Sequence, residues 1–201
     1  RRAAQFQELI RQWAQIDTTT AQLQQQRDRL QQQAWNLLLD IKVCDPAMGS
    51  GVFLLAAVDF IGDRLMEMLQ QHPEDNPILH HLDRLQPEIF YPRKPAKISP
   101  VPSARHRTQR LKQAIVQHCI YGVDLNPMAV DLAKVSLWLH FCTLATPFQG
   151  LNSHLRCANS LLSIFPHERS KPPTLQIIQS AQKFCQDVEW FNWFSEFPDI
   201  F

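Results

Sequence analysis

Seven residues, Asp45-Pro46-Ala47-Met48-Gly49-Ser50-Gly51, bring a carboxylate, a proline and two of the chain's 5 glycines into one short span. Proline ends a strand ladder, and glycine admits backbone conformations closed to other residues, so the string describes a sharp turn leaving a strand. A turn of this kind between a first strand and a helix is where open α/β sheets receive a nucleotide-like ligand. Its amides and the helix N-terminus favour a ligand carboxylate or phosphate. Two departures count against a dinucleotide. Leu54 replaces the third glycine of the dinucleotide fingerprint, and Asp45 stands in the loop, where a pyrophosphate would be repelled. A carboxylate beside a helix N-terminus suits a ligand with an ammonium and a carboxylate on one carbon.

The elements around this turn follow from periodicity. Residues 38–44 (LLDIKVC) are a short apolar, partly β-branched run and predict a buried strand. After the turn, Phe53, Ala57, Ile61, Leu65 and Met68 recur at helical spacing and predict the buried stripe of a helix. Residues 119–125 (CIYGVDL) predict a second strand. Asn126-Pro127 then caps a helix with an expected stripe of Met128, Leu132, Val135 and Leu139. Residues 155–162 predict a third strand, preceded by a helix near 108–118 before the second strand and followed by a weaker helix near 174–186. Strand alternating with helix implies a parallel α/β sheet.

The N-terminal segment, residues 1–37, has a different character. It holds 11 glutamines among its first 33 residues, with Phe6, Ile10 and Trp13 on one helical face and Leu23, Leu30, Ala34 and Leu37 on another. Two amphipathic helices are expected, the second capped by one of Thr18–Thr20. They either pack on their own domain, the preferred reading, or form a partner-binding coiled coil. Residues 72–107 hold half of the 14 prolines and predict a loop with one short helix near 77–86. From Ile89 to Val123 there are seven basic residues (Arg93, Lys94, Lys97, Arg105, Arg107, Arg110, Lys112) and no acid. Such a run tracks nucleic-acid phosphates or keeps a surface loop solvated, the second being slightly preferred.

Composition bounds the rest. The chain of 201 residues is 45% hydrophobic and 19% charged with net charge +1, which excludes a disordered or collagen-like chain. No apolar run approaches the roughly 18 residues of a membrane helix. The 5 cysteines are an odd number with no CxxC pair, which argues against a zinc ribbon or disulfide framework and for a reducing, cytoplasmic setting. All five are expected to be small buried hydrophobes. No metal spacing is present among the 8 histidines, and His80-His81 receives no role.

Asp45-Pro46-Ala47-Met48-Gly49-Ser50-Gly51-Val52-Phe53 resembles the first motif of the amino-directed DNA methyltransferases. Tyr121-Gly122-Val123-Asp124-Leu125-Asn126-Pro127, followed by Ala129-Val130-Asp131-Leu132-Ala133-Lys134, resembles their second. With Leu137-Trp138-Leu139-His140, Arg156-Cys157-Ala158-Asn159-Ser160-Leu161 and the terminal Glu196-Phe197-Pro198-Asp199-Ile200-Phe201, these strings resemble the large adenine-specific methyltransferases of restriction–modification and phage-exclusion systems. The resemblance spans roughly residues 38–201.

It implies a Rossmann-like methyltransferase sheet with S-adenosyl-L-methionine as cofactor. Asp45 would face the methionine ammonium, with Pro46, Ala47, Gly49 and Gly51 along the methionine portion. Asp124 would accept from the ribose hydroxyls and Leu125 would pack on the adenine. Asn159 stands where many relatives have an aspartate that reads the adenine amino group; asparagine also accepts, without charge assistance.

The family catalyses with Asn or Asp, two prolines and an aromatic, which accept from the target amino group and stack on the flipped base. Lys171-Pro172-Pro173-Thr174 is the one double proline, and it fails at both ends. No catalytic residue is therefore assigned. The family's upstream Tyr-Thr-Pro signature is not visible before Asp45 either.

The expected architecture is a helical extension (1–37) and an incomplete cofactor-binding core (38–201) with a proline-rich basic insertion (72–107). The expected function is the cofactor-binding segment of an adenine-specific DNA methyltransferase, a fragment inactive alone. Duplex DNA would be reached through the full-length parent, and a missing C-terminal half or partner subunit would complete it. The alternative is a non-catalytic split or degenerate subunit that binds cofactor or a partner protein. A nicotinamide oxidoreductase is disfavoured by Leu54 and Asp45.

Overall fold

The computed structural model describes residues 2–16, 21–71, 76–84, 104–141, 148–161, 163–164 and 191–200. The expected helix near 174–186, the cap among Thr18–Thr20 and most of the proline-rich insertion lie outside these residues.

Three strands form a parallel sheet in the order β1 (Val43–Asp45), β2 (Ile120–Asp124), β3 (Leu155–Cys157). Helix α3 (Val52–Gln70) follows β1, and α6 (Pro127–Phe141) connects β2 to β3. Parallel neighbours need such crossovers, because a tight turn cannot return the chain to the same end of the sheet. The mixed α/β arrangement is compatible with a methyltransferase-like fold.

Strand β2 lies between the other two and is buried on both faces. Ile120 joins the main core with Leu54, Val58, Ala133 and Leu137, while Tyr121 and Val123 join Phe191, Trp193 and Phe197 on the opposite face. The second group comes from β5 (Phe191–Asn192), which pairs in parallel with β4 (Ser163–Ile164), and from the short helix α7 (Trp193–Glu196). Asn192 caps α7 by accepting from the Phe194 and Ser195 amides.

Helices α1 (Arg2–Ala14), α2 (Ala21–Leu38) and α4 (Pro77–Arg84) gather on one side. Phe6, Ala34 and Leu38 join the main core, so the glutamine-rich hairpin packs on its own chain. The Arg27 guanidinium lies 3.7 Å from the Trp13 ring centroid. His80 packs on Trp13 and His81 on Trp35, which gives that histidine pair a structural place. Buried Asn76 starts α4, donating to the Leu69 carbonyl and accepting from the Ile78 amide.

Helix α5 (Ala104–His118) starts four residues before its expected position. It is clamped by part of the basic run: Arg107 makes two bonds to Asp83, Arg110 donates to the Leu82 carbonyl, and Lys112 bridges Asp59 and Asp63. These three cations hold helices together. Arg93, Lys94 and Lys97 lie outside the described residues.

Several expectations are corrected. Residue 38 closes α2 instead of opening a strand: the Leu39 amide still donates to Trp35, and pairing with β2 begins only at Val43. β3 stops at Cys157 because the Ala158 amide makes the last rung, to the Asp124 carbonyl, and Asn159 turns the chain.

The buried face of α3 is Leu54, Val58, Gly62, Met66 and Leu69, one residue along from the expected stripe, and Phe53 is 60% exposed. On this face Gly62 meets the stem of Lys112, so α5 approaches closely. The buried face of α6 is Val130, Ala133, Leu137 and Phe141, leaving Met128, Leu132, Val135 and Leu139 exposed. Since α6 is apolar nearly all round, pattern alone did not select a face; the small Ala133 permits the contact with Gly51.

Cys119 is buried, but Cys157 is exposed, against the expectation of five buried cysteines. Cys142 and Cys185 lie outside the described residues. Among the described residues no helix is long and apolar enough to cross a membrane, and no three potential ligands are grouped to hold a metal ion.

Candidate cofactor crevice

The carboxyl ends of β1, β2 and β3 carry Asp45, Asp124 and, two residues beyond β3, Asn159. In open α/β sheets this end is where ligands bind. The turn after β1 behaves as its composition demands. Gly49 and Gly51 have φ of 54° and 82°, left-handed values that residues with a Cβ rarely adopt. Gly51 is also tightly packed, since an added Cβ would lie 3.0 Å from the Ala133 Cβ and push α6 away.

Hydrogen bonds tie this turn down. The Ala47 amide donates to Asp45 Oδ1 at 3.0 Å and the Met48 amide to the Val123 carbonyl at 3.0 Å. The Gly49 amide donates to Asp124 Oδ2 at 2.8 Å, and the Gly51 amide to the Met48 carbonyl at 2.9 Å. Asp124 Oδ1 accepts from the Asn126 amide at 2.8 Å, and Asn126 Oδ1 in turn accepts from the Met128 amide at the start of α6. Each aspartate thus folds its own following backbone, and Asp124 also holds a loop 75 residues away in sequence.

The other expected site residues sit around this centre. Pro46 and Ala47 are exposed on the turn, and Leu125 is exposed immediately after β2. Asn159 is half-buried, with Oδ1 accepting from the Leu161 amide at 3.1 Å. All the expected positions therefore lie at one end of the sheet. The expected cap at Asn126 is present, and what sequence reasoning missed is the tie from the Gly49 amide to Asp124 across the two strands. The Asp124-Leu125-Asn126-Pro127 string carried a signal for Asn126, since Asp and Asn each readily accept from the amide two residues on.

Cys44 lies just before Asp45, and burial, reinforced by the Asp45 charge, pushes its thiol up to about 11. It is held as a neutral thiol and is no nucleophile at neutral pH. An open cleft of about 590 Å³ runs beside β3, which is an outer strand of the sheet among the described residues. Asp131, Lys134, Arg156 and Glu196 line it with charges of both signs, so it has no preference for an anion.

The opposite, amino end of the sheet has its own polar group. The His154 ring stacks on Tyr121 with centroids 4.3 Å apart, and Lys42 donates to the His118 carbonyl. Burial, then Asp199, pushes the Tyr121 hydroxyl up to about 12.

A parallel sheet with a glycine turn and two acids at its carboxyl end defines the class: an α/β domain compatible with a methyltransferase. Residues 118–201 match the Eco57I restriction-modification methylase family. A stretch of 99 residues, 49% of this chain, is 30% identical to a Methanocaldococcus jannaschii protein named as a type II restriction enzyme and methyltransferase. The chain spans 6% of the length of that relative. No solved structure matches. The two matches support a restriction–modification methyltransferase family.

Proposed function

We propose that this chain is the S-adenosylmethionine-binding part of an adenine-specific DNA methyltransferase. The observation that carries this reading is the fate of the loop amides. A pyrophosphate on a glycine-rich turn needs free backbone donors. Here the amides of Ala47, Met48, Gly49 and Gly51 all donate within the protein, two of them to carboxylates. On the loop itself a pyrophosphate would meet spent donors and negative charge.

A methionine-bearing nucleoside meets complementary groups. Asp45 attracts its ammonium, and Pro46, Ala47, Gly49 and Gly51 line its methionine portion. The first amides of α3, whose cap Gly51 offers them no side-chain partner, favour its carboxylate. Asp124 uses one bond on each carboxylate oxygen for the backbone, which leaves acceptor capacity for ribose hydroxyls. Leu125 offers an exposed apolar surface to the adenine, and Asn159, just beyond β3, is the acceptor for its amino group.

The bound cofactor supplies a methyl group on a sulfonium, for transfer to adenine N6 of duplex DNA in a cytoplasmic restriction–modification system. These 201 residues hold and orient the cofactor. They contain no Asn/Asp-Pro-Pro-aromatic string to accept from and stack on the target base, so transfer requires a further element of the larger protein. The same observation favours a second reading, a non-catalytic subunit that binds cofactor or a partner protein.

Calorimetric titration of the chain with S-adenosylmethionine and with NAD tests the proposal. Binding of the first and none of the second is expected; tight NAD binding without S-adenosylmethionine binding refutes it. With tritiated cofactor and mixed-sequence duplex DNA, label incorporation is expected to stay at the level of a Gly49→Arg control. Adding the missing catalytic element restores transfer under the first reading and leaves it absent under the second.

A further inference from the structure

We propose that Met48 is a positioning residue of this loop, and that Met48 and Gly122 form a matched pair that sets how the loop sits on the sheet. The proposal rests on the S-adenosylmethionine reading of the crevice.

Met48 belongs to a turn whose residues Pro46, Ala47 and Ser50 are exposed, yet it is itself only 4% exposed. Its side chain turns down onto β2. A Cβ added to Gly122 would fall on the Met48 sulfur, and would lie 3.1 Å from Leu54 Cδ1 and 3.2 Å from Leu155 Cδ2. The thioether therefore fills the hollow over a position with no side chain.

Glycine weakens a strand interior and often marks a place where something approaches closely. Gly122 is not in the left-handed region, so its backbone conformation does not require glycine; the space above it is filled by the side-chain ends of Met48, Leu54 and Leu155, which would have to shift to admit a methyl group. Methionine suits that space, because its unbranched stem adapts to irregular gaps.

The pair is one of three successive ties between the loop and β2. Met48 packs over Gly122, the Met48 amide reaches the Val123 carbonyl, and the Gly49 amide reaches Asp124. These ties engage three consecutive residues of β2, Gly122, Val123 and Asp124. They fix the loop relative to Asp124, and with it the α3 N-terminus that begins after Gly51. A ligand held by Asp45, the α3 amides and Asp124 together spans both sides of that joint, so its affinity depends on the joint's geometry.

The test uses the whole 201-residue chain carrying Met48→Ala, Met48→Leu, Gly122→Ala, or Met48→Ala with Gly122→Ala. Affinity for S-adenosylmethionine is measured by calorimetry, and amide exchange at Gly49 is compared with that of Ile115 and Leu137. Met48→Ala and Gly122→Ala are each expected to weaken binding about tenfold, the equivalent of about 1.4 kcal/mol. Both should speed exchange at Gly49 and leave the helix-core amides unchanged. Met48→Leu, of similar volume, should stay within about threefold of the parent. The double variant should bind more tightly than either single, because the new methyl occupies part of the vacated hollow.

Unchanged Gly49 exchange in both single variants, or exchange accelerated equally throughout, overturns the proposal. Gly122→Ala deletes no atoms and carries the test where Met48→Ala fails to fold. If the parent chain binds no S-adenosylmethionine, the cofactor reading fails, while Gly49 exchange still decides whether the pair holds the loop.

Discussion

Replacing Asp124 by Ala removes the acceptor of two backbone amides, Gly49 and Asn126, both at 2.8 Å. Hydrogen bonds to a charged group contribute about 1.5–3 kcal/mol each. Asp124 is only half-buried, so water takes over part of both bonds, and the loss of folding stability is about 1–2 kcal/mol in total. For a chain of this size that lowers the melting temperature by about 2–8 °C. Cofactor binding loses more. At least one ribose hydroxyl bond to a carboxylate disappears, about 1.5–3 kcal/mol, which is one to two decades in dissociation constant at about 1.4 kcal/mol per decade. Asp124→Asn separates the contributions: its one carbonyl oxygen can hold one amide, while its NH2 group opposes the other. Its affinity should fall between those of the parent and the Ala variant. Paired thermal melts and calorimetric titrations read both quantities. An Ala variant that binds S-adenosylmethionine within about twofold of the parent refutes the assignment.

Further predictions concern the loop, the basic run and pH. Gly51→Ala meets both a left-handed backbone and the Ala133 contact, whereas Gly49→Ala meets only the former. Gly49→Ala should destabilise by about 1–2 kcal/mol and Gly51→Ala by more, read from urea midpoints; equal losses refute the steric argument. Arg107→Gln breaks the two-bond pair with Asp83 and should cost about 1 kcal/mol of stability, since the pair is partly exposed. It should leave the salt dependence of DNA binding by the full-length protein unchanged, because this cation is already engaged; a changed slope in a fluorescence-anisotropy titration refutes that. Burial lowers the pKa of His81, His118 and His154 below the usual 6.5, helped by Arg84 at His81 and by Lys42 at the other two, with Asp199 opposing at the latter pair and the Ile120 carbonyl at His154. Their contribution to stability is present above about pH 6.5 and lost as pH falls through the lowered folded values. Urea midpoints should therefore drop on acidification below pH 6.5, and His154→Gln should flatten part of that drop.

Local chemistry made the crevice legible from sequence. The glycines of the Asp45–Gly51 string, the proline after Asp45 and the Asp124-to-Pro127 string act within a few residues. Their turn geometry therefore needs no distant partner, and Gly49 and Gly51 are left-handed as their setting suggests. Strand alternating with helix was equally legible, because parallel strands need crossovers of this length. What reached beyond local sequence was decided by packing. Helices α3 and α6 are apolar on more than one face, so the buried side was chosen by where Gly62 and Ala133 allow close approach. The tie between Gly49 and Asp124 joins two segments whose relative position exists only once β1 and β2 pair. The second face of β2 is covered by Phe191, Trp193 and Phe197 from far along the chain, which no pattern within β2 announces. Sequence by itself thus determined which backbone conformations the turns could adopt and which end of the sheet bears the acids, because those depend on neighbouring residues. Only the tertiary structure decided that the Met48 and Gly49 amides are spent, because their partners on β2 come alongside the loop only when β1 and β2 pair.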